Sequence, residues 1–294
     1  MKHGRRGRAT PVGAGGFRNG GLVGMKRMTR LAVAGVLLAG LAVWTGCGEK
    51  AVEEAPPRTE LVVGITESFP PLEFPGEDGE YTGYDVELAR ETCRRLGWTL
   101  RFEVIDWKYM EAALANHRVD CIWAGCTITD ERTERMAFTP GYIRNEQVVV
   151  VREESPIHRI SQLKGKTLSV QAGSTAMEAL ENTPELRNIL KEVFERVGSD
   201  GAFLELDDGH ADAVVMDLLV ANYMIVREGR PFRILDEGLA PEEYGVAFRK
   251  DDEATARQVW RTLQEMAGDG FVKRLSEKWF GSDISIIPAS YGRN

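Results

Sequence analysis

Val119-Asp-Cys-Ile-Trp-Ala-Gly-Cys-Thr-Ile-Thr-Asp-Glu-Arg132 reads as a buried strand that runs into the start of a helix. Residues 119–123 are apolar and β-rich around one aspartate. Thr129 then suits an N-cap, with Asp130 and Glu131 in the first turn beside the positive end of the helix dipole. Arg132 breaks the pattern. It falls at the third helical position, where a glutamate would complete a capping box and a cation meets the wrong end of the dipole. On this fragment alone an arginine splayed into solvent and an arginine facing an anion are equally good readings. The rest of the chain favours the anion.

Working outward, strand and helix patterns alternate. Residues 60–65 are a β-rich run closed by a turn, and Asp85 can cap a helix to Leu96 with apolar residues at helical spacing. Residues 99–105 alternate as a strand, and 109–115 form a short helix. Strands follow at 147–152 and 167–171, with a turn at Lys164-Gly-Lys166 between them. Helices are expected at 175–181 and 186–194, a strand at 244–249, and a helical region at 254–280 broken at 268–270. There is also an echo: Leu114 and Leu206 each stand six residues before an aspartate, Asp120 and Asp212, that opens a β-rich run. Alternating strands and helices imply an α/β architecture, and two similar units crossed by extended segments would leave a cleft between them.

The 294 residues are enough for two lobes with cores, and 43% hydrophobic with 28% charged residues is a globular composition. The N-terminus differs. Residues 1–46 carry eight Lys or Arg and no acid; 25–30 form a basic segment, 31–43 a short apolar run, and Gly46-Cys47 follows. The run is too short for a spanning helix, which needs ~20 apolar residues, and suits a signal peptide. Residues 1–24, with nothing foldable, read either as a disordered segment or as a misannotated upstream extension with Met25 the true initiator, and 47–59 read as a tether. Removing the eight basic residues of the leader from 37 leaves 29 against 45 acidic ones, a formal −16. That excludes nucleic acid as a partner. Cys93, Cys121 and Cys126 remain; an oxidising compartment permits one disulfide without choosing the pair. With no C-x-x-C and scattered histidines, neither a metal nor another cofactor is expected.

Four more fragments carry chemistry. Phe69 stands in a proline-stiffened turn, and Trp107 follows Asp106 before a short helix. Ser174 and Thr175 end a strand at a glycine and open a helix. Asp217 is a lone carboxylate in an apolar run, costly to bury without donors or a cation. Singly, these read as core aromatics and helix caps. Jointly they offer a cation for a carboxylate, a carboxylate for an ammonium and two aromatic walls, the complement of a free amino acid.

GITESFPPLEF, GEYTGYDVELA, VDCIWAGCTITDERTERMAFT, LKGKTLSVQAGST and ADAVVMD occur in an order that resembles the family 3 extracellular solute-binding proteins. The resemblance spans residue 60 to about 281. It implies a two-lobed periplasmic-binding-protein-like fold of type II with a ligand cleft: lobe 1 from 60–144 and 247–294, lobe 2 from 145–246, joined by two hinge segments. It implies Arg132 as the partner of the ligand carboxylate, with Thr127 and the carbonyl of Gly125 beside it on the first lobe. Ser174 and Thr175 are implied as second-lobe carboxylate binders, Asp217 as the ammonium acceptor, and Phe69 and Trp107 as the side-chain walls. Asp85 and Asp120 match the pattern too and read as caps or turns. Thr66 stands where binders of cationic amino acids often have aspartate; adjacent Glu67 could compensate by turning inward. Gly46-Cys47 resembles a lipobox, with Trp44 a departure, so Cys47 would carry lipid.

The expected function is an extracytoplasmic, membrane-tethered, monomeric receptor that delivers a polar amino acid to an ABC permease. The alternatives are a cyclohexadienyl or arogenate dehydratase-like enzyme on the same fold, using Glu67, Glu205 or Asp217 as acid or base, or a sensor domain.

Overall fold

The computed structural model describes residues 58–290. The expected extension, signal peptide, Cys47 and tether to residue 57 lie outside these residues. No described helix is long and apolar enough to cross a membrane.

Among the described residues the chain builds two large sheets, beside a two-stranded ribbon of Phe74–Pro75 and Tyr81–Thr82, and passes between the large sheets twice. The first has the order Thr99–Val104, Glu60–Ile65, Cys121–Ile122, Ala247–Arg249, Met136–Phe138. Its first three strands are parallel, and Ala247–Arg249 joins antiparallel. The second has the order Phe232–Ile234, Ile143–Arg152, Ala213–Asp217, Thr167–Gln171, Glu192–Arg196. The lower half of Ile143–Arg152 also pairs antiparallel with Ala240–Tyr244. These two antiparallel strands are the crossings, and the result is the two-lobed type II fold.

Each lobe grows from a parallel pair whose inner residues are buried on both faces, as helices on both sides of a sheet require. Leu61, Val63 and Ile65 are fully buried in the first lobe, as are Val149, Val150, Leu168, Val170 and Val214 in the second. The echo in the sequence has a structural counterpart. Asp120 accepts from Val62 N–H at 2.8 Å and Asp212 from Thr167 N–H at 3.0 Å. In each lobe an aspartate before the inner strand thus ties it to a parallel neighbour.

Several local expectations change. The helix expected over 186–194 stops at Arg187, and Glu192–Arg196 is instead a strand parallel to Thr167–Gln171. Sheet pairing outweighs a short helical pattern, which is marginal on its own. The strand expected over 244–249 divides at Gly245, whose N–H turns away to the Cys126 carbonyl at 2.9 Å. Asp85 does not cap its helix. Gly83 holds that position, at φ 127 and ψ 173, while Asp85 is buried and accepts from Gly125 N–H at 2.9 Å and Tyr142 O–H at 2.8 Å. Asp120 sits in an ion-pair cluster with Arg58 and Arg249 as well as tying its strand. Among the described residues Cys93, Cys121 and Cys126 form no disulfide and are buried thiols. Burial pushes Cys93 up to about 12 and Cys126 to about 11, so neither is a ready thiolate.

Gly83 is the tightest point of this frame. A Cβ there would lie 2.2 Å from the Leu72 carbonyl oxygen, in a backbone region essentially reserved for glycine. Gly83→Ala is expected to destabilise the protein by about 3 kcal/mol or more. Urea denaturation measures this; an unchanged midpoint would contradict the geometry.

Candidate functional site

All eight residues singled out in the sequence line one cavity between the sheets. Phe69, Trp107, Gly125, Thr127 and Arg132 come from the first lobe, and Ser174, Thr175 and Asp217 from the second; Thr66, Ala124 and Gln171 complete the lining. The cavity measures about 290 Å³, counting space open to solvent.

Arg132 is held as its sequence position suggested. Thr129 caps the helix Asp130–Arg135, its hydroxyl accepting from Arg132 N–H at 3.2 Å. The guanidinium turns back into the cleft and is only 7% exposed. It donates to the Thr127 carbonyl at 3.0 Å and to the Gly173 carbonyl of the other lobe at 3.5 Å, and lies 5.7 Å from the Trp107 ring. Among the described residues its polar partners are carbonyls, never a carboxylate. A buried cation in that state is electrostatically incomplete.

Asp217 is 8% exposed at the end of Ala213–Asp217. Oδ1 accepts from Asn145 Nδ2 at 2.7 Å, Gln147 Nε2 at 3.0 Å and the Tyr244 hydroxyl. Three donors converge on one oxygen, which leaves Oδ2 without a side-chain donor among the described residues. Burial, reinforced by the Glu242 carboxylate, pushes Asp217 up to about 7. A cation against Oδ2 would reverse that shift. Asn145, Gln147 and Tyr244 all belong to the crossing strands, the hinge segments expected near 144–147 and 242–246, and none was given a part in the site by the sequence.

The floor is shaped by Gly125. It has φ 57, and a Cβ there would lie 2.6 Å from the Phe69 ring. Behind the floor lies a second acidic group that sequence reasoning missed. Glu73 is fully buried and accepts from the Thr66 hydroxyl at 2.9 Å, with Oε2 unpartnered among the described residues. Burial and nearby Asp85 push it well above the usual carboxylate range. Glu67, which could have compensated for Thr66, is exposed and outside the lining. The only carboxylate lining the cavity among the described residues is Asp217.

Ser174 and Thr175 do not offer free hydroxyl protons. Ser174 Oγ donates to the Gln171 carbonyl at 2.8 Å, and Thr175 Oγ1 to Glu242 at 2.9 Å. Gln171 lines the cavity because its strand ends there, a position identifiable from the Gly173 turn but assigned no role in the sequence.

Asp85, like Asp217, is pushed up to about 7 by burial. A carboxyl whose pKa rises on folding adds stability below its unfolded pKa, near 4, and that stability is lost as pH rises through about 7. The ligand-free protein should therefore melt at a lower temperature at about pH 8 than at about pH 5.5. Asp85→Asn should flatten this slope. Thermal denaturation across pH checks both, and a melting point that rises toward pH 8 would contradict the buried-acid account.

The family described as bacterial extracellular solute-binding proteins, family 3, matches residues 61–282. The L-cystine-binding protein TcyJ of Escherichia coli (strain K12) is 32% identical over 269 residues, covering 89% of this chain and 99% of that protein. Among solved structures, a substrate-binding protein of an ABC uptake transporter from Streptococcus pneumoniae with bound histidine superposes with a TM-score of 0.75. It is 34% identical and covers 77% of this chain and 94% of that one. Tv2483 bound to L-arginine gives 0.74 at 32% identity, covering 78% and 93%.

Proposed function

Because the chain belongs to the bacterial extracellular solute-binding proteins, family 3, we propose that it closes its two lobes around a free polar amino acid and presents it to an ABC permease. The observation that carries this reading is Arg132: a buried guanidinium on one lobe with no carboxylate partner among the described residues, across a cavity from buried Asp217 on the other. An α-carboxylate completes the first and an α-ammonium the second. Neither lobe alone offers both charges, so a zwitterion favours the closed state. The lobes are 60–144 with 247–294, and 145–246, and the protein acts as a monomer.

Phe69 and Trp107 flank the ligand side chain, with Thr66 and Gln171 as its polar contacts. Relatives whose names specify cystine, or that were solved with histidine or arginine, define the range to try. A thermal-shift screen with the twenty amino acids and L-cystine is expected to yield at least one stabilising ligand, worth about 4 kcal/mol at ~1,000-fold over its dissociation constant. Arg132→Ala should then cost ~2–5 kcal/mol of affinity by calorimetry, because it strands a desolvated carboxylate. Unchanged affinity would remove the basis of the reading.

The chain acts as a receptor without catalysis. Of the three carboxylates considered as acid or base, Glu67 is exposed, and Glu205 pairs with Arg196 at 2.7 Å away from the cavity lining. Asp217 alone reaches the cavity, and its environment suits an ammonium. Incubation with prephenate should give no phenylpyruvate.

Residues 25–46 act as a signal peptide, and Cys47 carries the lipid that tethers the receptor outside the cytoplasm. Cys47→Ser should move the protein from the membrane to the soluble fraction on cell fractionation, with its ligand affinity intact.

A further inference from the structure

Glu242 stands behind the cavity on the crossing strand Ala240–Tyr244 and does not line it. Its carboxylate is buried and accepts two hydroxyls, Thr127 Oγ1 on Oε2 at 2.5 Å and Thr175 Oγ1 on Oε1 at 2.9 Å. Thr127 belongs to the first lobe and Thr175 to the second, and their oxygens are 3.3 Å apart. Both threonines line the amino-acid cavity on one side and a separate hollow on the other, and Glu242 lies on the side of that hollow. The strand that carries it is pinned to the first lobe by Ile128 N–H to the Glu243 carbonyl and Gly245 N–H to the Cys126 carbonyl, each at 2.9 Å. Against the second lobe's sheet, Glu242 is in register with Asn145, the donor to Asp217.

A hydroxyl has one proton to give. With both protons directed at Glu242, the two threonine oxygens can turn only lone pairs toward the cavity. We propose that Glu242 is a positioning residue: it sets both hydroxyls as acceptors toward the ligand and ties the two lobes through a single carboxylate. The site then has an orientation. Threonine lone pairs and Asp217 face the ammonium, and the ligand carboxylate is left to Arg132. This also revises the expectation that the Thr175 hydroxyl binds the carboxylate. The effect on affinity rests on the amino-acid reading above, whereas the tie between lobes stands without it.

Glu242→Gln keeps the size of the side chain but makes one of its two polar atoms a donor. One threonine must then turn its proton elsewhere. The test measures two things. By small-angle X-ray scattering, ligand-free Glu242→Ala, which removes both acceptors, should show a larger radius of gyration than the wild type. By calorimetry with L-arginine, L-histidine, L-cystine and L-glutamine, E242Q should bind whichever the wild type binds roughly tenfold or more weakly, as expected for hydrogen bonds to a charged group. The double variant E242Q/T127V should lose much less than the product of the two single losses, because Glu242 acts through Thr127.

Losses that multiply independently, or wild-type affinity in E242Q, would overturn the positioning role. An unchanged radius of gyration would overturn the tie between lobes. If the wild type binds none of the four amino acids, the receptor reading fails on those ligands, and scattering alone decides the tie. Should either Glu242 variant not fold, Thr127→Val and Thr175→Val remove the two donors from the other side and are read by the same scattering.

Discussion

A guanidinium buried in a cleft, with no acid paired to it among the described residues, is the constraint around which this molecule is arranged. Arg132 has given up most of its hydration for two carbonyl contacts and the face of Trp107. Carbonyl dipoles compensate a buried cation only in part, so the site is most stable when an anion enters. One of those carbonyls, Gly173, belongs to the opposite lobe, so the arginine already senses closure. The same logic applies in reverse to Asp217, whose burial raises its pKa until a cation is supplied.

The crossing strands do more than connect lobes. Ile143–Arg152 supplies Asn145 and Gln147 to Asp217, and Ala240–Tyr244 supplies Tyr244 to Asp217 and Glu242 to the threonines. Residues of the hinge therefore hold the polar groups of the cavity. Movement of the lobes and the donor pattern of the site are parts of one network, which is how a small ligand gains differential affinity for the closed state.

The two charges of the site were legible as local anomalies, whereas Phe69, Trp107, Ser174 and Thr175 stood out only jointly and Thr127 and Gly125 only through the family motif. Arg132 stood at the wrong end of a helix, and Asp217 interrupted an apolar run. Glu242 and Glu73 showed no such anomaly. Pro241-Glu-Glu243 resembles any exposed acidic turn, and Glu73 looks like the polar end of a proline turn. The role of Glu242 comes from partners distant along the chain, as with Thr127, 115 positions away, and that of Glu73 from complete burial beside nearby Thr66. The strand Glu192–Arg196 was misjudged for the same reason as Glu242, since its helical pattern was overruled by a parallel neighbour 25 positions earlier.

The sequence alone determined the α/β alternation, the two related halves and the identities of the charges that meet in the cleft, because periodicity, capping and ordered motifs are local properties. The tertiary structure decided which oxygen of Asp217 is left open, which way the threonine protons point, and that Asp85 ties Gly125 to the core instead of capping a helix. Those outcomes depend on desolvation and on hydrogen-bond partners brought together only when both lobes pack, and neither quantity exists in an unfolded chain.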